Sequence, residues 1–546
     1  MPVITLNWKE LEKLVGAPKD VILRRLPMMG CDIERSDDET LAVEFFPNRP
    51  DLYSIEGVAR ALRGFLDIER GLREYRTRKG EWKIFVDESV LTVRPRIVGC
   101  VVRNLRMSDE VIRSLMEVQE DLHWTIGRNR RRMAIGVHDL SRVNFPLRYT
   151  AVGRDFSFVP LDFSEEMNIS EIFLKHPKGR EYAFILEGKN AYPMIIDAKD
   201  EAISFPPIIN AEKTRVTERT TDLFIDVTGF DEYVDRAQNI VACMLSDRGG
   251  EIETVEVVYP DRIEHTPDLS PKRLSVSKSE IFSLLGFEPG DEEIVLALER
   301  MRFGASVGDE IIEVLIPPYR ADIMHAWDII EDIAVGYGYE RIRPEYPATM
   351  TIGQEHEWSK VKELAKEIMI GLGFLEVITF TLTSEKAYEN LRRSARPWDD
   401  YVPLMHPLTV EHTIVRTEIL SKLIEVIAVN KHVEMPLKIF EVGDVVVGLR
   451  NRLRLCACVV HPRANFSELR SYVQAVMREL GVEWDVREAK DPAFIEGRQG
   501  EILVEGKGVG VFGEIHPEVL EKFGIPNPVV AFEIELDEIF DCGDLL

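Results

Sequence analysis

The chain has 546 residues, of which 45% are hydrophobic, so it is long enough for several domains with packed cores. Acidic residues outnumber basic ones by 95 to 68, and the net charge of -27 excludes a protein that coats nucleic acid through a broad positive surface. No apolar run reaches membrane-spanning length, the N-terminus lacks a signal-peptide pattern, and the six cysteines are scattered, which predicts a cytoplasmic protein without membrane contact, disulfide framework or zinc site.

Residues 1–80 are predicted to form an N-terminal α+β domain. The helical patterns WKELEKLV and DVILRRL are followed by two short strands, one around Cys31 and one in LAVEFF. A turn at residues 47–50 then leads into the helical pattern SIEGVARALRGFL. The charged stretch REYRTRKGEWK is expected to mark the domain boundary.

Residues 90–262 mix strand and helix patterns and are predicted to form a compact α/β domain. The strands include MAIGVHDL, AFILEG and DLFIDVTG, and the helices include DEVIRSLMEVQEDLHWTI and YVDRAQNIVACMLSDR. This domain also holds the densest basic run of the chain, GRNRRRM, with Arg128, Arg130, Arg131 and Arg132. Two interpretations of the run stay open, a solvated loop edge and a contact with phosphate.

Residues 272–345 follow the turn-rich stretch RIEHTPDLSPK and are predicted to form a small winged-helix-like domain. Its patterns are two helices, SKSEIFSLLG and DEEIVLALERM, a strand pair in FGASVGDEIIEVLIP, and a final acidic helix. The acidic helix lies in PPYRADIMHAWDIIEDIAVGYGYERI, the most informative segment of the chain.

Four carboxylates lie within eleven residues of this segment: Asp322, Asp328, Glu331 and Asp332. On a helix at about 100° per residue, the last three fall at positions i, i+3 and i+4 of one face, and Asp322 precedes the first turn. Like charges at this spacing destabilise a helix unless a positive group lies among them, and carboxylate oxygens suit a hard divalent cation. The pattern therefore fits a magnesium or calcium site, with a solvated acidic face as the alternative.

Residues 350–546 are predicted to form the last domain, an antiparallel α+β fold. Its helical patterns are EWSKVKELAKEIMIGLGF, ILSKLIEVIAVNKHV and SELRSYVQAVMRELG. Its strand patterns are EVITFTLTS, LKIFEVGDVVVG, LRLCACVV, EILVEGKGVGVFGEI and VVAFEIELDEIF. The domains together predict a multidomain α+β protein.

Several segments, in this order along the chain, resemble one family over almost the full length. They are NRPDLYSIEGVARALRG, QEDLHWTIGRNRRRMAIGVHDL, SFPPIIN, DLFIDVTG, PPYRADIMHAWDIIEDIAVGYGYERI, VRTEILSKLIEVIAVNKH, IFEVGD, FIEGRQG and FGEIHPEVLEKFGIP. The family is that of the phenylalanyl-tRNA synthetase beta subunits of the archaeal and eukaryotic-cytosolic type. The resemblance implies a tetramer of two alpha and two beta chains that ligates phenylalanine to tRNA(Phe), with ATP and phenylalanine bound through the alpha subunit. It also implies that the four carboxylates bind Mg²⁺, as a structural site near the interface with the alpha chain.

The resemblance implies that the last domain is a class II synthetase-like antiparallel domain that has lost its catalytic residues. In IFEVGDVVV, Val447 stands where class II enzymes carry an ATP-binding arginine, and VVAFEIELDEIF contains no arginine. Guanidinium is used at such places because its fork clamps a phosphate and stacks on adenine, which valine cannot do. Arg416 is expected to form a structural salt bridge. We therefore expect no catalytic residue for aminoacylation in this chain.

For residues 90–262 the resemblance implies an editing domain that hydrolyses tyrosine wrongly attached to the phenylalanine tRNA. A pocket built for phenylalanine cannot strongly reject an isostere that adds one hydroxyl, so a second site must recognise that hydroxyl. The candidate residues are Ser204, Asn210, Asp226, Thr228, Gln119, His123 and Arg128. Each also has a purely structural interpretation, such as a capped turn or a strand position. A scaffold subunit without active editing is therefore the alternative function.

Overall fold

The computed structural model of the chain describes residues 2–349, 352–394 and 400–540. These residues fall into two compact units, Met1–Tyr346 and Pro347–Leu546. No helix within the described ranges is long and apolar enough to cross a membrane. Both units combine helices with mostly antiparallel sheets, so the prediction of a multidomain α+β protein is confirmed.

The first unit begins with β1 (Val3–Asn7), α1 (Trp8–Val15), α2 (Lys19–Arg25), β2 (Cys31–Ser36), β3 (Thr40–Phe45) and α3 (Ile55–Phe65). The strands pair antiparallel in the order β1-β3-β2. Helix α1 begins after Asn7, whose side chain accepts a hydrogen bond from the Glu10 amide, and ends at Gly16 with a φ of 79°. Helix α3 begins in the same way after Ser54, which accepts from the Gly57 amide. Side-chain caps therefore set where both helices start.

The middle of the first unit contains strands β4 (Thr77–Val86), β5 (Arg96–Arg103), β6 (Met133–Asp139), β7 (Leu147–Val152), β8 (Ser157–Phe158), β9 (Met167–Asn168), β10 (Tyr192–Ile196), β11 (Ala202–Phe205), β12 (Ile209–Asn210), β13 (Leu223–Gly229), β14 (Glu251–Val258) and β15 (Ile263–Thr266). Its helices are α4 (Asp109–Trp124), α5 (Ile169–Lys175), α6 (Pro177–Tyr182) and α7 (Tyr233–Asp247). All strands but β8 and β9 join one sheet of ten strands, in the order β12-β11-β10-β7-β4-β14-β5-β13-β6 with β15 paired to β14. Every residue of β13 is buried, because β5 and β6 flank it and α7 packs against it.

Two segments of this part differ from the sequence patterns. The stretch REYRTRKGEWK contains the start of β4, which pairs in parallel with β7 and β14 inside the sheet and was not predicted as a strand. The segment AFILEG was predicted as a strand, and this prediction is wrong, because it forms a short 3-10 helix at Ala183–Leu186. Short apolar runs carry too little periodicity to fix helix or strand, so the neighbouring elements decide.

The last part of the first unit contains β16 (Lys272–Ser277), α8 (Lys278–Leu285), α9 (Asp291–Arg300), β17 (Gly304–Val307), β18 (Ile311–Ile316) and α10 (Ala326–Tyr337). The strands pair antiparallel in the order β16-β18-β17. Helix α10, the predicted acidic helix, buries Ile329, Ile330 and Ile333 in the core. It approaches α9 so closely that a Cβ on Gly336 would lie 2.2 Å from the carbonyl oxygen of Ala297, so this contact requires glycine.

The second unit contains helices α11 (Glu357–Gly371), α12 (Lys386–Asn390), α13 (Leu420–Val429), α14 (Phe466–Glu479) and α15 (Pro517–Phe523). Its strands are β19 (Leu375–Glu376), β20 (Leu382–Thr383), β21 (Ile414–Val415), β22 (Leu437–Val447), β23 (Arg450–Val460), β24 (Asp485–Glu488), β25 (Phe494–Val504), β26 (Lys507–Ile515) and β27 (Val529–Glu535). A seven-stranded sheet has the order β19-β22-β23-β27-β26-β25-β24 and is antiparallel except between β19 and β22. Apolar residues form one core cluster with α11 and α14 and another with α13 and α15. The predicted strand EVITFTLTS contributes only to the short strands β19 and β20.

Candidate functional site

A cavity of about 340 Å³ lies in the first unit between helix α4, strands β6 and β13, and the hairpin of β11 and β12. Apolar side chains form much of its wall, among them Ile112, Met116, Ile135, Ile208 and Val216. Four of the predicted site residues line it, namely Gln119, Ser204, Asn210 and Asp226. An apolar wall with a few polar groups is the usual make-up of a site for a small organic group.

Asp226 is the most deeply buried of these four residues, with 1% of its surface exposed. Its Oδ1 lies 2.8 Å from Nε2 of His138, and Nδ1 of the same ring lies 2.8 Å from Oγ1 of Thr214. A Cβ on Gly136 would lie 2.3 Å from Oδ1 of Asp226, so the carboxylate can occupy this place only because the facing residue is glycine. His138, which the sequence did not identify, thus holds the carboxylate of Asp226 in position.

Ser204 and Asn210 face each other across the pair of strands β11 and β12. The Ser204 hydroxyl donates to Oδ1 of Asn210 at 2.9 Å, and Nδ2 of Asn210 donates to the Val137 carbonyl at 3.3 Å. Nε2 of Gln119 donates to the Ile135 carbonyl at 2.7 Å. Strand β6 therefore anchors the amide groups of both Asn210 and Gln119 at the cavity.

Arg130 and Arg215 line the cavity, whereas the predicted Arg128 does not. The guanidinium of Arg130 donates to the Ile208 carbonyl at 3.0 Å and pairs with Glu120. Burial by itself raises the pKa of Glu120, but the positive charge of Arg130, whose Nη2 lies 2.5 Å from Oε1 of Glu120, helps to outweigh burial and lower the pKa to about 2. The cavity wall therefore carries an ion pair that stays charged at neutral pH.

Three predicted residues lie outside the cavity lining, although the structure describes all of them. His123 is buried in α4, where its Nε2 accepts a hydrogen bond from the Ile135 amide at 2.8 Å. Burial lowers the pKa of His123 to about 4, so the ring is neutral at pH 7. Thr228 on β13 accepts a hydrogen bond from Nε of Arg94 at 2.9 Å. Arg128 is exposed. These side chains support the domain or face solvent and do not contact the cavity.

The four predicted metal ligands do not converge. Nη2 of Arg320 lies 2.6 Å from Oδ2 of Asp322 and 2.5 Å from Oδ2 of Asp332, so one guanidinium lies between these two carboxylates. Oδ2 of Asp328 accepts hydrogen bonds of 2.7 Å from the two backbone amides just before α10, and Glu331 is exposed. Within the described ranges, no group of three or more His, Cys, Asp or Glu side chains could hold a metal ion.

A positive group, which the spacing argument left unassigned, accounts for this arrangement. Arg320 precedes Asp322 by two residues and supplies that charge from within the same segment. Asp332 is 5% exposed, and burial raises its pKa to about 6 although Arg320 lies beside it. Mg²⁺ requires several oxygen ligands in near-octahedral geometry, so the four carboxylates as folded in this chain do not fit it.

A second cavity, of about 890 Å³, lies in the second unit, and Val447 at the end of β22 lines it. Seven carboxylates and three basic side chains also line it: Asp400, Glu418, Glu488, Asp491, Glu501, Glu533 and Glu535, and Arg393, Arg454 and Lys490. Burial and the nearby charge of Glu533 raise the pKa of Glu418. An excess of carboxylates disfavours a phosphate group, so this cavity does not suit ATP.

Arg416 forms the structural salt bridge that was predicted for it. Its Nη1 lies 2.7 Å from Oε1 of Glu441, and both side chains are 4% exposed. Its guanidinium also donates to the Thr379 hydroxyl at 2.8 Å and to the Asp444 carbonyl at 3.0 Å. The donors of this arginine are thus engaged within the fold.

Two family models match the chain. Residues 274–339 match the tRNA synthetase B5 domain, and residues 342–536 match the phenylalanyl tRNA synthetase beta chain CLM domain. Together with the α+β units described above, these matches define a subunit of an aminoacyl-tRNA synthetase.

Comparison with individual proteins narrows this class. The chain is 68% identical to the phenylalanine–tRNA ligase beta subunit of Archaeoglobus fulgidus, over 100% of both chains. It is 50% identical to that of Methanococcoides burtonii, over 98% of this chain and 100% of the relative. The chain therefore belongs to the family of phenylalanine–tRNA ligase beta subunits, and the resemblance found in its sequence is confirmed.

A solved structure resembles the N-terminal part of the fold. It is an N-terminal fragment of the phenylalanyl-tRNA synthetase beta subunit from Pyrococcus horikoshii, 37% identical in sequence. The match has a TM-score of 0.59 and covers 62% of this chain and 99% of the fragment.

Proposed function

We propose that this chain is the beta subunit of a cytoplasmic phenylalanine–tRNA ligase, assembled as a tetramer of two alpha and two beta chains. The complex joins phenylalanine to tRNA(Phe) with the consumption of ATP. The observation that supports this proposal most is the identity of 68% over the full length of a beta subunit. Co-expression with an alpha chain followed by a mass measurement tests the assembly, and complexes that contain beta chains alone would contradict it.

The chemistry of ligation belongs to the alpha subunit in this proposal. The second unit is then a class II synthetase-like domain without catalytic residues, which is supported by Val447 and by the carboxylate-rich cavity next to it. Phenylalanine-dependent exchange between ATP and pyrophosphate is expected for the complex only. Exchange by the purified chain alone would refute the assignment.

The second unit also exposes apolar side chains that suit a partner surface. Ile378 is 88% exposed, Phe380 76%, Met405 85% and Leu408 101%. The ring of Phe380 lies 5.8 Å from that of His412, which joins the two segments that carry these side chains. Large exposed apolar side chains of this kind suit an interaction site, and we assign them to the interface with the alpha subunit.

We further propose that the cavity of the first unit hydrolyses tyrosyl-tRNA(Phe) in an editing reaction. The observation that carries this proposal is a buried carboxylate, Asp226, held by His138 in a cavity with an apolar wall. The tyrosine ring would lie against that wall, and its phenol would donate a hydrogen bond to Asp226. A phenylalanine ring would leave the carboxylate without this partner, which disfavours its binding.

The reaction itself is the addition of water to the ester carbonyl. The bond between the carbonyl carbon and the ribose oxygen breaks, and free tyrosine and tRNA with an intact terminal hydroxyl result. The developing negative charge on the carbonyl oxygen needs donors, and Gln119, Asn210 and Arg130 line the cavity with N–H groups of the right kind.

A pair of variants tests the editing site. Asp226→Ala and Asn210→Ala in the assembled enzyme are expected to lower tyrosyl-tRNA hydrolysis while ATP–pyrophosphate exchange continues. Unchanged hydrolysis in both variants would show that the cavity is not the site and would favour the scaffold function instead.

Residues 272–345 form a small winged-helix-like domain in this proposal. In its acidic segment, we infer that Arg320 balances the negative charge of the carboxylates in the free chain. A Mg²⁺ site at the four carboxylates would form only if Asp322 and Asp332 left Arg320 in the assembled enzyme. Its role would then be structural, because the chemistry of ligation belongs to the alpha subunit in this proposal.

A further inference from the structure

The basic run at residues 127–132 forms an unusual loop, here named the arginine loop. Arg128, Asn129 and Arg130 have φ angles of 50°, 53° and 62°, so three consecutive residues other than glycine adopt the left-handed conformation. Each such residue is disfavoured by the clash of its Cβ, and segments of this kind persist where the surrounding structure holds them. The Arg130 amide donates to the His123 carbonyl at 3.1 Å, which fixes the loop on α4, and the Arg132 amide donates to the Gly127 carbonyl at 2.9 Å within the loop.

In the left-handed turn, the side chains of the arginines differ in their exposure to solvent. Arg130 lines the cavity and is 6% exposed, whereas Arg128 and Arg131 are exposed. The loop therefore runs from the cavity wall to the surface. Within the ranges that the structure describes, the guanidinium groups of Arg128 and Arg131 form no ion pair, whereas Arg132 pairs with Asp231 at 2.5 Å.

An aromatic side chain lies beside the exposed arginines. The guanidinium carbon of Arg131 is 4.8 Å from the ring centre of Phe184, and this ring is 41% exposed. Two residues earlier, the buried Tyr182 packs in the same way on Arg130, with a distance of 4.3 Å. The two stacks connect the cavity wall to an exposed surface that offers one aromatic face and two free positive charges.

We propose that the arginine loop and Phe184 bind the single-stranded 3′ end of tRNA next to the cavity. The inference rests on the proposed editing function, because it explains how an amino acid attached to tRNA reaches the cavity. Phosphates of the last nucleotides would lie on Arg128 and Arg131, and the base next to the terminal adenosine would stack on Phe184. Single-stranded RNA is bound by this combination of positive groups along the backbone and aromatic faces under the bases.

The net charge of the whole molecule bears on whether this local surface binds RNA. With a net charge of -27, the chain cannot attract RNA by its general field, so contacts must come from local groups without acidic partners. Arg128 and Arg131 meet this requirement beside the cavity. A protein partner would not need a stacked arginine and phenylalanine that lead into a cavity for a small organic group, so we assign the surface to RNA.

The test uses the full chain co-expressed with its alpha subunit, in the absence of ATP and phenylalanine so that no tRNA is recharged. Two substrates are compared, tyrosyl-tRNA(Phe) and 3′-O-tyrosyl adenosine, which has the same ester but lacks the neighbouring nucleotides. The measured quantity is the ratio of kcat/KM for the tRNA to kcat/KM for the small ester. Arg131→Ala and Phe184→Ala are each expected to lower this ratio about tenfold, the size of one lost stacking contact.

Matched variants complete the test. Arg142 is also exposed and lies just beyond β6, at the end of that strand opposite to the arginine loop, so Arg142→Ala is expected to keep the wild-type ratio. Phe184→Trp retains an aromatic face and is expected to keep the ratio as well. Arg131→Ala is expected to reduce the slope of log kcat/KM for tRNA against log salt concentration by about 0.7, the value for one phosphate contact on a single strand.

The outcomes separate the two proposals. If the wild type hydrolyses both substrates and Arg131→Ala and Phe184→Ala keep its ratio, the RNA surface is refuted while editing stands. An equal fall of the ratio in Arg142→Ala would show a general effect of charge and would also refute the surface. If the wild type hydrolyses neither substrate, the editing function fails, and the inference built on it fails too.

Discussion

Substitution of Gly136 tests the buried pair of Asp226 and His138. Gly136 faces Asp226 across strands β6 and β13. An alanine Cβ at this position would lie 2.3 Å from Oδ1 of Asp226 and 2.9 Å from Nε2 of His138. Because both groups are buried in the sheet, the methyl group fits only if the hydrogen bond between them opens.

The expected cost of Gly136→Ala follows from two terms. Overpacking of a close contact costs about 1–3 kcal/mol. Loss of a buried hydrogen bond to a charged group costs about 1.5–3 kcal/mol more. We therefore expect the first unit to lose about 3–5 kcal/mol of unfolding free energy. Since Asp226 would leave its place, hydrolysis of tyrosyl-tRNA(Phe) is expected to fall by about 100-fold or more.

Hydrogen exchange measured by mass spectrometry gives a local readout. Peptides from β6 and β13 are expected to exchange faster in Gly136→Ala, together with a lower urea midpoint for the first unit. Gly153→Ala is the control, because a Cβ at Gly153 would meet nothing within 4 Å. If Gly136→Ala is as stable as Gly153→Ala and exchanges like the wild type, the described geometry of Asp226 and His138 is wrong.

Three further predictions concern other charged groups of the first unit. The pKa of His123 is lowered by burial from 6.5 to about 4, so the unfolded chain takes up the proton first as the pH falls. The free energy of unfolding is therefore highest above pH 6.5 and falls by roughly 3 kcal/mol between pH 6.5 and 4, as measured by urea unfolding. His123→Gln should flatten this dependence on pH. Arg320→Met is expected to lower the free energy of unfolding by about 3–5 kcal/mol at pH 7, because it leaves the buried Asp332 without its cation. Arg25→Met, which breaks an exposed pair with Glu340, should lower the free energy of unfolding by less than about 1 kcal/mol. Equal effects of these two variants would contradict the buried position of Arg320. Calorimetric titration of the free chain with Mg²⁺ should give the same weak heats for the wild type and Asp328→Ala, and tight binding that only the wild type shows would restore the metal site.

The sequence by itself determined the features that depend on local spacing. Apolar periodicity placed the acidic helix that the structure has at Ala326–Tyr337, and the strand patterns indicated the antiparallel sheet of the second unit. The absence of an arginine at Val447 was also visible in the sequence. The order of the motifs was sufficient to identify the family. Such signals can be read from the sequence alone, because each depends on neighbouring residues or on residue identity.

The tertiary structure alone decided which side chains meet. Four of the seven predicted editing residues line the cavity, but the sequence did not reveal that His138 holds Asp226 from 88 residues away. A left-handed turn at Arg128 places Arg130 in the cavity wall and leaves Arg128 outside it. Positive φ angles are uncommon for arginine and cannot be read from residue periodicity.

The acidic segment shows the same division. Spacing correctly indicated that its carboxylates require a positive group, but the spacing could not distinguish a metal ion from a side chain. In the fold, Asp332 is buried beside Arg320, 12 residues earlier in the chain, while Glu331 stays exposed. A contact of this kind depends on how helix α10 packs on the core, and helical periodicity alone does not contain that information.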